Sequence, residues 1–406
     1  MNAPRIDALA DQVAATAALP LERAQTLPAA VYTDPGWHAF EREEVLPREW
    51  LSVAHVSQVP EPGDFLRLDV LGEPVLVVRG KDRVVRVLSR VCRHRGMDLM
   101  PEGHGYADAG NERALLCPYH YWGYDLDGRL KGAPEMQKAE GFDRSEVCLH
   151  EHRSEVFEGF VFVTQDRDAP PVSEKLAGLR DRFLGRWGLG DAEVVYERHW
   201  DSAFDWKLLV ENFMEPYHHM GSHRDTLQPI MPAHGCWTEP EDPDWVACHL
   251  PLSKKLQEEA DRNGRLAGFS PFPGLEPGDH KQWWVFLGHP TFLLFVGPNE
   301  VFWYRLLPTG PGRCSLLTTL LVSKEAKHAA DYEASLAADT KLIVDVHLED
   351  VEALEGMQRG ARSVGCAPGR LSHLEEPIHH FQRWLAGAAE RALRGQSRGV
   401  TVGATR

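Results

Sequence analysis

VCRHRGMDLM at residues 91–100 and LLCPYHYWGYDLDGRL at residues 115–130 decide how the front half of the chain reads. Each stretch holds one Cys and one His close together: Cys92-x-His94, then Cys117-x-x-His120. Two thiolates and two imidazoles can close a tetrahedral zinc site. The same four suit a two-iron, two-sulfide cluster with two Cys on one iron and two His on the other, because such a cluster needs one of each from two loops. Composition alone leaves both open. Gly96, Gly123 and Gly128 flank the four residues and favour tight loops.

Around these loops the chain alternates or runs apolar in short pieces. DFLRLDV (64–70), PVLVVRG (74–80), RVVRVLSRVC (83–92) and EVFEGFVFVTQ (155–165) read as antiparallel strands separated by Gly, Pro and Lys-Asp. Residues 51–165 therefore form an all-β module. Residues 1–35 read as helix and then loop, and 37–50 carry a helical spacing of bulky residues. Beyond Asp168-Ala-Pro-Pro171 helix and strand patterns alternate. SEKLAGLRDRFLGRWGL (173–189) and WKLLVENFMEPYHHM (206–220) read as helices, and AEVVYERHWDSAF (192–204) as a strand. Aromatic-rich strands follow at 236–320, then long helices at 324–360 and 375–395. A sheet flanked by helices makes the second half α+β.

The composition narrows function further. The chain has 406 residues and a formal net charge of −16. Such an acidic surface repels phosphate backbones, so a nucleic-acid partner is not expected. No apolar run is long enough to span a membrane, and the N-terminus lacks a basic, then apolar, secretory pattern. Seven scattered cysteines are not a disulfide framework and suit a reducing cytoplasm. Cys148, Cys236, Cys248, Cys314 and Cys366 lack metal spacing and read as ordinary small residues. Nucleotide fingerprints such as GxGxxG and the P-loop are absent, so electrons would come from a separate protein.

CRHRG and CPYHYWGYDLDG resemble the two cluster-binding loops of Rieske iron–sulfur proteins, and in particular those of the Rieske non-haem iron ring-hydroxylating oxygenases. The resemblance implies a [2Fe-2S] cluster held by Cys92, His94, Cys117 and His120. Imidazole ligands raise the potential of such a cluster above that of an all-Cys one, which suits relaying electrons. Tyr121 stands where the family usually has Gly, and PEGHGYADAGNER (101–113) lengthens the interval between the loops.

A second constellation lies in WKLLVENFMEPYHHMGSHRDTLQP (206–229). Asn212, Glu215 and His218 would share one helical face, and a helix loosening at Gly221 would bring His223 back to the same point. Two imidazoles and one carboxylate on one face of a metal is the arrangement of non-haem Fe(II) oxygenases. The residues alone do not choose between His218 and His219. The oxygenase pattern Asn-x-x-acid-x-x-His-x-x-x-x-His matches Asn212, Glu215, His218 and His223, and implies His218 and His223 as iron ligands. In that family the acid links a cluster His of a neighbouring subunit to the first iron His. Carried over, Glu215 would join His120 of one chain to His218 of the next, and Glu215 and Asn212 are the candidate catalytic residues. Many members have Asp here; branches resembling carnitine and glycine betaine oxygenases have Glu, but with Cys where this chain has His219. The third ligand comes from HLEDVEALEGMQRGARS (347–363). The family places a carboxylate eight positions before a Gln, which selects Asp350 against Gln358 over Glu349, Asp345 and Glu352.

The resemblance thus implies an α+β chain with three parts: an N-terminal helical segment (1–40) packing on the catalytic domain, a Rieske domain (41–165) and a mononuclear-iron catalytic domain with an antiparallel sheet flanked by helices (166–406). It implies the terminal component of a Rieske oxygenase, a homotrimer or a multiple of one, taking electrons from a reductase or ferredoxin. With O₂ it would hydroxylate a small organic substrate, an aromatic compound first, with monooxygenation of a quaternary ammonium or N-alkyl compound, C–H hydroxylation with dealkylation, as the alternative. The rival from another class is a non-enzymatic Rieske electron carrier or a zinc-stabilised binding module. In the aromatic sheet, alternation puts Trp283 and Val285 on one face and Trp284 and Phe286 on the other, without saying which meets the iron. His379-His380 reads as surface.

Overall fold

The computed structural model describes residues 6–263 and 266–397. The chain divides into two compact units. One runs from Ser52 to Ser173; the other joins the residues up to Leu51 to those from Glu174 onward.

The first unit is built on a seven-stranded sheet of order β1-β10-β9-β4-β3-β2-β5. Its strands are β1 (Leu51–His55), β2 (Asp64–Val70), β3 (Glu73–Arg79), β4 (Val85–Ser89), β5 (Ala109–Asn111), β9 (Glu151–Phe157) and β10 (Phe160–Thr164). A three-stranded sheet of β6 (Leu115–Leu116), β7 (Gly123–Tyr124) and β8 (Leu130–Gly132) packs beside it. Val75, Val77, Val78, Val87 and Leu88 are buried, as the Val-rich runs lead one to expect. The extended interval between the Cys-His loops supplies β5, which pairs Asn111 with Asp64 and covers part of the β2 edge.

The second unit holds a seven-stranded antiparallel sheet of order β11-β17-β16-β15-β14-β13-β12. These strands are β11 (Glu193–Ser202), β12 (Trp237–Thr238), β13 (Trp245–Pro251), β14 (Gln282–Gly288), β15 (Phe292–Val296), β16 (Glu300–Gly310) and β17 (Arg313–Val322). Its helices are α1 (Ile6–Ala17), α2 (Ala30–Thr33), α3 (Pro35–Phe40), α4 (Val172–Lys175), α5 (Ala177–Arg182), α6 (Trp206–Met214), α7 (Lys254–Asn263), α8 (Tyr332–Ala361) and α9 (Glu376–Ser397). Helix α4 straddles the boundary between the units. Helix α1 packs on α9, while α6 packs against α8, α9, β14 and β16.

The unit boundaries have local causes that composition does not carry. Residues 41–50 belong with the second unit because the buried Glu41 carboxylate receives Trp37 Nε1 at 2.7 Å, Trp206 Nε1 at 3.2 Å and Lys207 Nζ at 2.7 Å. Residues 166–173 stay with the first. Arg153 donates to the Arg167 carbonyl at 2.6 Å, and the Val172 and Ser173 amides donate to Glu155, each at 3.0 Å. His379 and His380 are buried rather than on the surface, since the N-terminal segment covers that side of α9. His379 Nε2 lies 2.9 Å from the Leu19 carbonyl.

Candidate functional site

The two Cys-His loops have the same backbone. The Cys92 amide donates to the Met97 carbonyl and the Gly96 amide returns to the Cys92 carbonyl; Cys117 repeats this with Trp122 and Tyr121. The turn requires a left-handed residue at its fourth step, Gly96 at φ 74° and Tyr121 at φ 58°. Glycine adopts that conformation freely, whereas a side chain costs about 1 kcal/mol there. Tyr121 therefore carries strain that the family's usual Gly avoids.

Cys92 and Cys117 are buried in the core with Trp122, Tyr124 and Leu126, and Cys92 Sγ lies 3.2 Å from the Tyr124 hydroxyl. The His94 and His120 rings meet edge-on at 4.8 Å, and His94 stacks on Trp122 at 4.7 Å. Burial, with the neighbouring Cys92, pushes the Cys117 thiol up. His120 Nδ1 is buried without a hydrogen-bond partner. A pair of buried sulfurs, a pair of imidazoles and an unpartnered ring nitrogen fit a [2Fe-2S] cluster with mixed ligands.

In the second unit the expected continuous helix stops early. Helix α6 ends at Met214, Glu215 is extended, and a short 3₁₀ turn covers Tyr217–Met220. Pro216 is the cause: it lacks an amide for the helix ladder and biases the preceding residue toward extended backbone. The break lies there and not at Gly221, so Asn212, Glu215 and His218 do not share a helical face. The break nevertheless lets the Glu215 carboxylate fold back. One oxygen accepts the His218 amide at 3.1 Å and the other lies 2.9 Å from His218 Nδ1.

Ligand atoms of His218, His223 and Asp350 converge within 4.8 Å of one another. His223 Nε2 lies 3.0 Å from Asp350 Oδ1, and His218 Nε2 lies 3.6 Å from it. That buried oxygen makes no hydrogen bond, which is the signature of a site shaped for a cation. Each imidazole is oriented by a carboxylate at its other nitrogen: Glu215 holds His218, and Glu349 lies 2.6 Å from His223 Nδ1. Thr226 Oγ1 in turn donates to Glu349 at 2.7 Å. Proton donation from Nδ1 leaves both Nε2 lone pairs for a metal. Burial draws His218 down, but the bond to Glu215 and the charges of Glu215 and Asp350 outweigh it and raise its pKa. His219 lies outside this set: Nδ1 meets the Met231 carbonyl at 3.1 Å, and burial holds the ring down at about 3. Sequence reading missed Glu349 as a partner of His223 and treated it only as a rival of Asp350. Gln358, the family's marker, is structural; it accepts the Asp205 amide at 2.7 Å and donates to the Tyr32 carbonyl at 3.1 Å.

A cavity of about 40 Å³ opens beside these ligands, lined by Asn212, Phe213, Val285, Phe295 and Tyr304 among others. On one face of β14, Val285 lines this cavity and Trp283 lines a larger one beyond it; Trp284 and Phe286 pack on Trp187 and Phe183 at the other face.

The model of the Rieske [2Fe-2S] domain matches residues 49–151, and that of the ring hydroxylating alpha subunit catalytic domain matches 189–390. The chain belongs to the Rieske non-haem iron oxygenases. It is 28% identical over 388 residues to the glycine betaine monooxygenase oxygenase subunit of Chromohalobacter salexigens, covering 89% of this chain and 85% of the relative. It is 33% identical over 224 residues to the carnitine monooxygenase oxygenase subunit of Escherichia coli K12, covering 53% of this chain and 59% of the relative. A solved quaternary ammonium Rieske monooxygenase shares the fold with a TM-score of 0.76 at 24% identity, over 93% of this chain and 97% of that one. As a Rieske oxygenase the protein is an O₂-dependent oxidoreductase whose cofactors are a [2Fe-2S] cluster and a mononuclear iron, with a reductase or ferredoxin as electron donor. No described helix is long and apolar enough to cross a membrane.

Proposed function

We propose that Cys92, His94, Cys117 and His120 hold the cluster, that His218, His223 and Asp350 hold the iron, and that the chain hydroxylates a C–H bond of a small organic molecule in the adjoining cavity. The observation that carries this reading is the convergence of His218, His223 and Asp350, with each imidazole fixed by its own carboxylate. Loaded, the cluster supplies single electrons and the iron supplies O₂ activation. The chain's own residues orient and exclude. Glu215 and Glu349 fix the two rings, and Phe213, Phe295 and Tyr304 keep the cavity apolar.

Glu215 has a second task in this reading. A carboxylate can accept more bonds than the two His218 provides. The remaining capacity suits the outward nitrogen of His120 in a neighbouring subunit, so the working unit is a homotrimer or a multiple of it, placed in a reducing cytoplasm. The similar quaternary ammonium monooxygenase transfers electrons between subunits. For the substrate, an aromatic ring fits the Trp283 and Phe295 walls. A nitrogen-bearing compound fits those walls, the acids Glu259, Glu300 and Asp339 that line the larger cavity with Trp283, and the activity of the glycine betaine and carnitine relatives; we take this second reading.

The test is Glu215→Gln in the holoenzyme. Iron and sulfide per chain should stay at the parent level, while product formed per electron delivered falls at least tenfold. Full coupled turnover by this variant would sink the bridge, and zinc in place of iron at either site would sink the whole reading.

A further inference from the structure

Beyond the cavity at the iron ligands lies a larger one of about 190 Å³. The two share Leu227, Phe295, Ile343 and Val346, so the same four side chains wall both. The far end of the larger cavity has an unusual chemistry. Glu300, only 7% exposed, Asn299 and Asp339 all line it. Glu300 Oε2, Asn299 Oδ1 and Asp339 Oδ2 are buried there without any hydrogen-bond partner. Glu259 adds a third acid, and no Lys or Arg lines either cavity among the described residues. Three orphaned acceptors at one place cost stability and call for an explanation. Burial lifts Asp339 to about 6 and, with the charge of Asp339, raises Glu300 well above the carboxylate range. A cation between them would restore both charges.

Two rulers place this end relative to the iron ligands. On α8, Asp339, Ile343, Val346 and Asp350 follow the spacing of one helical face, about 16 Å from first to last at 1.5 Å per residue. On β16, Glu300, Phe302 and Tyr304 alternate onto one face, about 14 Å at 3.4 Å per residue. Both run from the acid end to the ligand end. Between them Trp283, Phe295 and Phe302 form an aromatic wall, with ring centroids 4.4 Å and 6.2 Å apart.

We propose that Glu300, Asp339 and Asn299 form a cation subsite that seats an N–H-bearing ammonium group of an elongated organic amine, whose apolar body runs along Trp283, Phe295 and Phe302 and presents a carbon remote from the nitrogen beside His218, His223 and Asp350. The inference rests on the iron site proposed above for its direction. Orphaned acceptors need donors, so a protonated primary or secondary amine satisfies them, whereas a quaternary ammonium, which has no N–H, leaves them orphaned. A zwitterion's carboxylate would face acids without a basic partner. The substrate therefore differs from a short betaine. Its C–H and O₂, with an electron pair from the donor protein and protons from solvent, give an alcohol and water, and the C–N bonds stay intact.

The experiment measures binding to the anaerobic holoenzyme by calorimetry, with n-octylamine, trimethyloctylammonium and octanoate as probes. The amine should bind at least tenfold tighter than the trimethyl analogue, and octanoate should not bind. Glu300→Gln and Asp339→Asn, each checked for parent-level iron content and circular dichroism, should each weaken amine binding at least tenfold. Equal affinity for the trimethyl analogue, or unchanged amine affinity in both variants, overturns the subsite. Turnover is read separately: hydroxyoctylamine supports the direction of the chamber, and octanal overturns it. Binding with no oxygen chemistry would overturn the iron reading while leaving the subsite standing.

Discussion

Glu349 touches the proposed iron site only through another side chain, and that makes it a sharp test of how the site is held. Its carboxylate lies against His223 Nδ1 and receives Thr226 Oγ1. Carboxylates behind a metal-binding imidazole fix the ring and raise its basicity, and their loss costs roughly 10–100-fold in metal affinity. Glu349→Ala should weaken ferrous iron binding by about that factor, read as iron per chain after equilibration with a chelator, with the cluster absorbance unchanged. Parent-level iron retention would remove Glu349 from the site. The residue shows where sequence legibility stops. His218, His223 and the Cys-His loops are spaced within short segments, so their spacing survives folding. Glu349 and Asp350 are neighbours on one acidic helix. Their separation into ring-holder and ligand candidate depends on how α8 is rotated against the 3₁₀ turn; the spacing to Gln358 singles out Asp350 only through the family resemblance and gives Glu349 no role.

At the scale of elements, the start of α6 is set by a buried charge cluster. Asp205 caps the helix by accepting the Lys207 amide at 3.0 Å, and Lys207 Nζ lies 2.7 Å from both Asp205 and Glu41. Lys207 is fully buried. Removing one member of such a cluster leaves uncompensated charge inside the protein, a cost of about 3–5 kcal/mol. Lys207→Met should lower stability by that amount in chemical unfolding of the second unit, although its volume is nearly conserved. A loss below about 1 kcal/mol would mean that water or protonation already neutralises Glu41 and Asp205. This cluster also explains the boundary at residue 51, since Glu41 is tied to α6 from far away in sequence. The end of α6 was legible but overlooked: Pro216 announces an extended residue before it. The strand pattern was more readable, because alternation of Trp283 and Val285 against Trp284 and Phe286 is a local property. Which face meets the iron is not, since α6 and α8 decide it. The acid end of the larger cavity was equally hidden, because Glu300 and Asp339 come from a strand and a helix separated by a hairpin.

Across the whole molecule, buried ionisable groups set opposing pH dependences. Burial raises Glu211 to about 8 and lifts Glu375 and Glu376 above their ordinary value near 4.5. Glu211 is buried beneath the Tyr32 hydroxyl, which donates to it at 2.7 Å. The native state keeps protons on these groups that the unfolded chain releases, so their contribution is full below pH 4.5 and is lost as pH rises toward 8. Burial has the reverse effect on His152 and His380, both lowered to about 4 from 6.5. The unfolded chain takes up protons there first, so that contribution is full above pH 6.5 and is lost as pH falls toward 4. Between these pH values the two sets oppose each other, and above 6.5 only the glutamates remain. The urea midpoint should therefore fall between pH 6.5 and 8. Glu211→Gln keeps an acceptor for Tyr32 but cannot ionise, and should flatten that fall. A midpoint that rises through this window, or an unchanged slope in the variant, would mean that Glu211 is ionised in the folded protein, stabilised by Lys207 across the same core that holds α6 in register.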